Sequence, residues 1–197
     1  MNPYIALKEG AIVLYEYIIS CVLAFIVAFL ATPIAKKIAF NIGAVDVPKD
    51  SRRMHKRPIA RLGGLAIVAG FLIAILFDLV LFPFNIKGVL IPDMQLWGML
   101  LGAAIIIGIG IVDDIKSINA KIKLTFQLLA ATIVVFTGTS IERVTNPFAG
   151  FESLDISPLI SYPLTVLWII GITNAINLID GLDGLAAGVS SISSFSL

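Results

Sequence analysis

Charge is what this sequence has least of. Only 14% of its 197 residues are Asp, Glu, Lys or Arg, against 58% hydrophobic. A soluble domain carries roughly a quarter charged residues. With a mean hydropathy of +1.01, a water-soluble globule is excluded, and an all-α polytopic membrane protein is expected. Cysteine is almost absent: Cys21 stands alone, so no intrachain disulfide can form. Histidine is limited to His55. A cleavable leader is also missing from expectation, because Lys8 is followed by Glu9 and no small-residue cleavage site is evident. The net charge is +1; its distribution informs more than its sum, and no nucleic-acid partner is expected.

Long apolar runs are abundant. Roughly twenty apolar residues cross a bilayer core, and residues 11–32, 63–84, 96–112, 122–137 and 158–176 read as five spans. The first is expected to close at Pro33. A sixth run, 185–197, is too short to cross. Tyr15 and Tyr17 suit an interfacial belt. Gly98 and Gly102 make a GxxxG packing face. Gly108-Ile109-Gly110 lacks the third glycine of a dinucleotide loop and sits in an apolar span. Asp78 lies inside the second span and receives no role. Two alternating stretches, 140–145 and 151–156, flank Asn146-Pro147 and Gly150, which reads as a short β-hairpin on the outer surface.

Eight of the fourteen basic residues fall in 36–62: Lys36, Lys37, Lys49, Arg52, Arg53, Lys56, Arg57 and Arg61. The positive-inside rule makes this loop cytoplasmic and the N-terminus external. Counting spans from there puts three polar clusters on the cytoplasmic face. They are the basic loop, Asp113-Asp114 with Lys116, Lys121 and Lys123, and Asn177, Asp180 and Asp183. In the last cluster the three-residue spacing places all three groups on one helical face. A blander account of it is helix punctuation, with Asp183 capping a helix that begins at Gly184. That leaves Asn177 and Asp180 unexplained, and acids at a membrane boundary are expensive. Crowded carboxylates call for a cation. Oxygen-only ligands favour Mg²⁺, with Mn²⁺ as the alternative, and the lysines and arginine suit phosphate. Phosphoryl transfer at the interface is the chemistry this combination supports.

Three segments carry a family resemblance. The run His55-Lys56-Arg57-Pro58-Ile59-Ala60-Arg61-Leu62-Gly63-Gly64, the segment 108–114, and the segment 174–188 resemble the polyprenyl-phosphate N-acetylhexosamine-1-phosphate transferases of glycosyltransferase family 4. The bacterial enzymes that begin surface glycans on undecaprenyl phosphate are the nearest in look. The resemblance implies transfer of an N-acetylhexosamine 1-phosphate, GlcNAc-1-phosphate foremost, from a UDP-sugar to undecaprenyl phosphate, with UMP released. It implies Mg²⁺ as cofactor, the bacterial plasma membrane as location, and a second copy of the chain as a candidate homodimer partner. Asp113, with Asp114 beside it, is assigned the proton on the lipid phosphate. Asn177, Asp180 and Asp183 are assigned the metal-diphosphate, with Asp180 and Asp183 also counted as catalytic. Lys121 and Lys123 are assigned the lipid phosphate, and His55, Lys56 and Arg61 the nucleotide entrance.

Two departures stand out. Ala60 replaces a proline usual in the family, and the later spans and loops of the family pattern have no counterpart. The chain is therefore expected to be a single transmembrane domain forming the N-terminal part of a larger fold, and an inactive fragment is one alternative. An ion-coupled transporter is the other, disfavoured because the acids gather at cytoplasmic ends rather than at the midplane. The topology predicts that cysteines introduced at Ser51 and Ser153 react with an impermeant reagent from opposite sides. Labelling of both from one side contradicts it.

Overall fold

The computed structural model describes residues 3–47, 58–81, 94–145, 153–181 and 184–196, with side chains from Tyr15 onward. Among them the chain forms, in order, α1 (Pro3–Ile42), β1 (Val45–Asp46), β2 (Ile59–Ala60), α2 (Gly64–Leu81), α3 (Met94–Lys116), α4 (Ala120–Phe136), β3 (Arg143–Thr145), β4 (Ser153–Asp155), α5 (Pro158–Ile179) and α6 (Leu185–Phe195). They group into two compact units. One holds 1–91 and 110–117, the other 92–109 and 118–197. The described parts of four helices, Tyr15–Ile42, Gly64–Leu81, Met94–Lys116 and Pro158–Ile179, are long and apolar enough to cross a membrane. The fourth expected span corresponds to α4, whose 17 residues reach about 26 Å. That is short of a hydrocarbon core of roughly 30 Å.

In the first unit α1 does not stop at Pro33 but runs on to Ile42. Pro33 removes one backbone donor, a loss that membrane helices tolerate when neighbours re-engage the freed groups. Beside it, the Thr32 hydroxyl donates to the Ala28 carbonyl at 2.8 Å. Beyond it, Ala35 and Ala39 are buried, and Ala39 packs with Ala44 and Leu62 against Ala60, Leu65 and Ile111. That packing continues the helix where local propensity argues for a stop. Gly43 then ends it at φ 77, with the Ala44 N–H donating to the Ala39 carbonyl at 2.9 Å. This is a glycine-closed Schellman end. The chain passes directly into β1, which pairs antiparallel with β2 through Val45–Ala60 and Asp46–Ile59.

Small residues build the contact between α1 and α2. Ala66, Gly70 and Ala74 are the buried residues of α2, four apart on one stripe. Gly70 sits against the Ala24 carbonyl and the Ala28 methyl. Asp78 continues the α2 stripe and Ser20 the α1 stripe, and the Ser20 hydroxyl donates to the Asp78 carboxylate. The carboxylate inside the second span is thus engaged by its helix partner. Large side chains lie outside the seam: Phe25 and Phe29 are each 70% exposed, the disposition of a helix whose outer face is solvated by lipid. With no hydrophobic drive between helices in lipid, close packing of small residues holds such pairs.

The second unit repeats this logic. Gly98 and Gly102 of α3 are buried, facing Thr137 and Val134, so the GxxxG face meets α4. Gln95 Nε2 donates to the Gly138 carbonyl at 2.9 Å, tying the start of α3 to the end of α4. Strands β3 and β4 pair antiparallel through Arg143–Asp155, Val144–Leu154 and Thr145–Ser153. They are shorter than the alternating stretches read from the sequence. The backbone before them is held to α5 twice. Ser161 Oγ donates to the Ile141 carbonyl at 2.7 Å, and the Ile141 N–H donates to Thr165 Oγ1 at 2.9 Å.

A Cβ on Gly70 falls 2.4 Å from the Ala24 carbonyl oxygen, a backbone atom, whereas one on Gly108 meets nothing within 4 Å. Gly70→Ala is therefore expected to destabilise the detergent-solubilised protein by about 1–3 kcal/mol, as overpacking does. Gly108→Ala should be neutral or gain up to about 1 kcal/mol of helix propensity. Thermal unfolding reads both, and equal shifts contradict the seam.

Candidate polar site at the ends of α4 and α5

Helix α3 carries Asp113 and Asp114 in its closing turns, both half-buried. It ends because Ser117 takes a positive φ of 48, a conformation uncommon outside glycine, while the Ser117 N–H still donates to the Asp113 carbonyl at 2.8 Å. Both acids are thus helical, in the end of α3, and both belong to the first unit.

Helix α4 opens on Asn119, whose side chain accepts from the Lys121 N–H at 2.9 Å and whose carbonyl accepts from Ile122 and Lys123. Asparagine is a favoured N-cap because it satisfies a backbone donor the helix leaves over. The capped turn carries Lys121 and Lys123. Cations in a first helical turn oppose the macrodipole, so these lysines add to a positive end that attracts anions. In α5, Asn177 lies in the last turn and Asp180 is the C-cap, its N–H donating to the Ile176 carbonyl at 3.1 Å. Both are exposed. Lys123 Nζ donates to Asn177 Oδ1 at 2.7 Å. Two residues expected to serve neighbouring phosphates therefore meet, although 54 positions separate them in the chain.

One turn further along both helices is a contact that the sequence reading does not single out. Gln127, 2% exposed, donates from Nε2 to Asn174 Oδ1 at 3.3 Å. Asn174 Nδ2 donates back to Gln127 Oε1 at 2.8 Å and also to the Ile170 carbonyl at 2.9 Å. Its sequence signal is an uncharged amide within an apolar helix, four residues after Lys123.

The remaining candidates separate. Arg61 forms an ion pair with Asp46 at 3.0 Å, and its N–H donates to the Ala44 carbonyl at 3.0 Å. It thereby closes the base of the basic loop beside the β1–β2 ladder. Lys121 contributes its carbonyl to Thr125 Oγ1 at 2.9 Å. His55, Lys56 and Asp183 lie outside the described residues. Helix α6 starts at Leu185 with Gly184 at its N-cap, φ 78 and without a side-chain cap bond. Helix α5 ends at Ile179 with Asp180 as its C-cap, so the single helical face expected for Asn177, Asp180 and Asp183 does not extend past that residue, and helix punctuation accounts for the place of Asp180. Among the described residues, no group of three or more His, Cys, Asp or Glu is gathered for a metal.

Comparison with known proteins agrees with the sequence resemblance. The family model "Glycosyl transferase family 4" matches residues 96–197, just over half of the chain, and the chain belongs to that family. It is 44% identical over 181 residues to a probable undecaprenyl-phosphate N-acetylglucosaminyl 1-phosphate transferase of Bacillus subtilis (strain 168), covering 90% of this chain and 47% of that one. A decaprenyl-phosphate N-acetylglucosaminephosphotransferase of Mycobacterium leprae (strain TN) is 31% identical over 190 residues, covering 96% of this chain and 47% of that one. The undecaprenyl-phosphate alpha-N-acetylglucosaminyl 1-phosphate transferase of Salmonella typhi is 30% identical over 161 residues, covering 81% and 40%. The chain spans about half the length of the curated relatives it matches. No solved structure matches it.

Proposed function

We propose that this protein takes part in transfer of an N-acetylhexosamine 1-phosphate, GlcNAc-1-phosphate foremost, from a UDP-sugar to undecaprenyl phosphate at the cytoplasmic face of the bacterial plasma membrane. The N-terminus lies outside in this reading. The observation that carries it is the 2.7 Å contact of Lys123 Nζ with Asn177 Oδ1, which joins a residue of the 174–188 family segment to a lysine assigned to the lipid phosphate. Relatives whose names specify N-acetylglucosamine-1-phosphate transfer to polyprenyl phosphates support the chemistry.

In this reading an oxygen of the lipid phosphate attacks the sugar-bearing phosphorus of the UDP-sugar. A new P–O bond forms, the bond to the bridging oxygen of UMP breaks, and UMP leaves. Asp113 takes any proton held by the attacking phosphate, with Asp114 beside it setting the local charge. Lys121 and Lys123 attract and orient the lipid phosphate from the positive end of α4. His55, Lys56 and Arg61 serve the nucleotide side.

The donor chemistry near Asn177 fits a hard divalent cation. Asn177 offers an amide oxygen, which a metal there would take over from the Lys123 ammonium, and Asp180, the C-cap of α5, offers a carboxylate. Asn177, Asp180 and Asp183 would hold Mg²⁺, which takes one or two protein carboxylates and completes its shell with water and substrate phosphates. When bound, the ion screens the anionic reactants and stabilises charge on departing UMP.

Release of UMP from UDP-GlcNAc by membranes containing the protein, dependent on added undecaprenyl phosphate, is the expected activity. Solute uptake by vesicles without UMP release favours the transporter alternative. Asp180→Asn should lower turnover and raise the Mg²⁺ concentration needed for half-maximal rate. Combining it with Asp183→Asn should cost little beyond the worse single variant, because groups acting as a unit are not additive. An unchanged Mg²⁺ midpoint in both single variants, per folded protein, removes these residues from metal binding.

A further inference from the structure

We infer that Gln127 and Asn174 are positioning residues: their reciprocal amide pair fixes the register of α4 against α5 and so holds Lys123 Nζ on Asn177 Oδ1. The inference rests on the phosphoryl-transfer reading only for what the held atoms then do.

The geometry is specific. Gln127 follows Lys123 by four residues, and Asn174 precedes Asn177 by three. Both intervals are one helical turn, so the two contacts stack as successive rungs between the same helices. The inner rung is the constrained one. Gln127 is 2% exposed, and the pair exchanges two hydrogen bonds, Nε2 to Oδ1 at 3.3 Å and Nδ2 to Oε1 at 2.8 Å. Asn174 is also anchored to its own helix through the Ile170 carbonyl. A two-way amide bond has one satisfying alignment. Sliding either helix by a residue leaves a buried donor and a buried acceptor unmet, which is costly where water is excluded. The outer rung joins the same two helices by the hydrogen bond of Lys123 Nζ to Asn177 Oδ1 at 2.7 Å, with Asn177 exposed at the last turn of α5. The inner rung sets the alignment of the helix ends that carry it.

On α4, Ala130 and Val134 pack against Gly102 of α3, a contact with a different helix. Farther from the site, Phe136 of α4 meets Tyr162 of α5 with ring centroids 6.4 Å apart, and Ser161 and Thr165 hold the Ile141 backbone. Near the site end the amide pair ties the two helices.

The test reads geometry and activity separately. In a Cys21→Ser background in nanodiscs, spin labels at Ile122→Cys and Leu178→Cys, both at exposed positions, report the separation of the two helix ends by double electron–electron resonance. The parent should give a narrow distance distribution. Gln127→Leu and Asn174→Leu should each lose the narrow component. The exchanged pair Gln127→Asn with Asn174→Gln keeps the summed length and both amides, and should regain it. Where a leucine variant does not accumulate, Gln127→Asn alone withdraws the amide by one carbon and reads the same geometry. A parent-like distribution in the disrupted variants overturns the inference, as does an exchanged pair that stays broad. In membranes, UMP release should fall by about 10²-fold in Gln127→Leu, the loss typical of a misplacement of about 1 Å, and recover in the exchanged pair. Parent membranes that release no UMP contradict the proposed function, while the spin-label distances still decide the positioning role.

Discussion

The candidate site depends on polar groups finding each other across an apolar helix pair. Within hydrocarbon an unmet amide or carboxylate has no water to turn to, so each buried polar side chain dictates its partner. Between α4 and α5 this constraint produces the Gln127–Asn174 pair. One turn nearer the helix ends it sets up the contact of Lys123 with Asn177. The same constraint operates in the other unit, where the Ser20 hydroxyl meets the Asp78 carboxylate at the end of a small-residue seam. Apolar packing brings helices together without choosing among neighbouring registers. Hydrogen bonds with one satisfying alignment make that choice.

Glycine and alanine make those bonds reachable. The Ser20 hydroxyl reaches Asp78 only because the backbones of α1 and α2 lie close, and the seam of Ala66, Gly70 and Ala74 provides that closeness; Gly98 and Gly102 do the same between α3 and α4. Larger apolar groups are displaced outward: Trp168 is 61% exposed. Function follows from the same division. A phosphate-handling surface needs its lysines and amides at fixed places, and the helix ends are where charge reaches water while the helices behind remain locked.

What could be read from sequence was what a single helix encodes. Long apolar runs located α2, α3 and α5, and the Gly98–Gly102 spacing located a packing face. The 174–188 motif drew attention to Asn177 and Asp180. Other features depend on where a second helix lies. Pro33 argued for an end to α1, yet burial of Ala35 and Ala39 carries the helix to Ile42. The ion pair of Arg61 with Asp46, 15 residues earlier, could not be read from spacing. Helix α3 continues past the apolar run through Asp113 and Asp114 and turns only at Ser117. Asn174 opens the 174–188 segment and continues its three-residue spacing, but Gln127 carries neither charge nor motif, and only pairing in space shows that the two belong together.

The claim at the centre is that Lys123 and Asn177 work as one unit in phosphate transfer. A double-mutant cycle on UMP release per folded protein, using Lys123→Met, Asn177→Leu and the two together, addresses it most directly. Each single variant should lose roughly 10²-fold or more, as removal of one positioned charge-stabilising donor does. The double variant should lose little beyond the worse of the two, as expected of residues acting jointly. Losses that multiply independently would contradict the joint role.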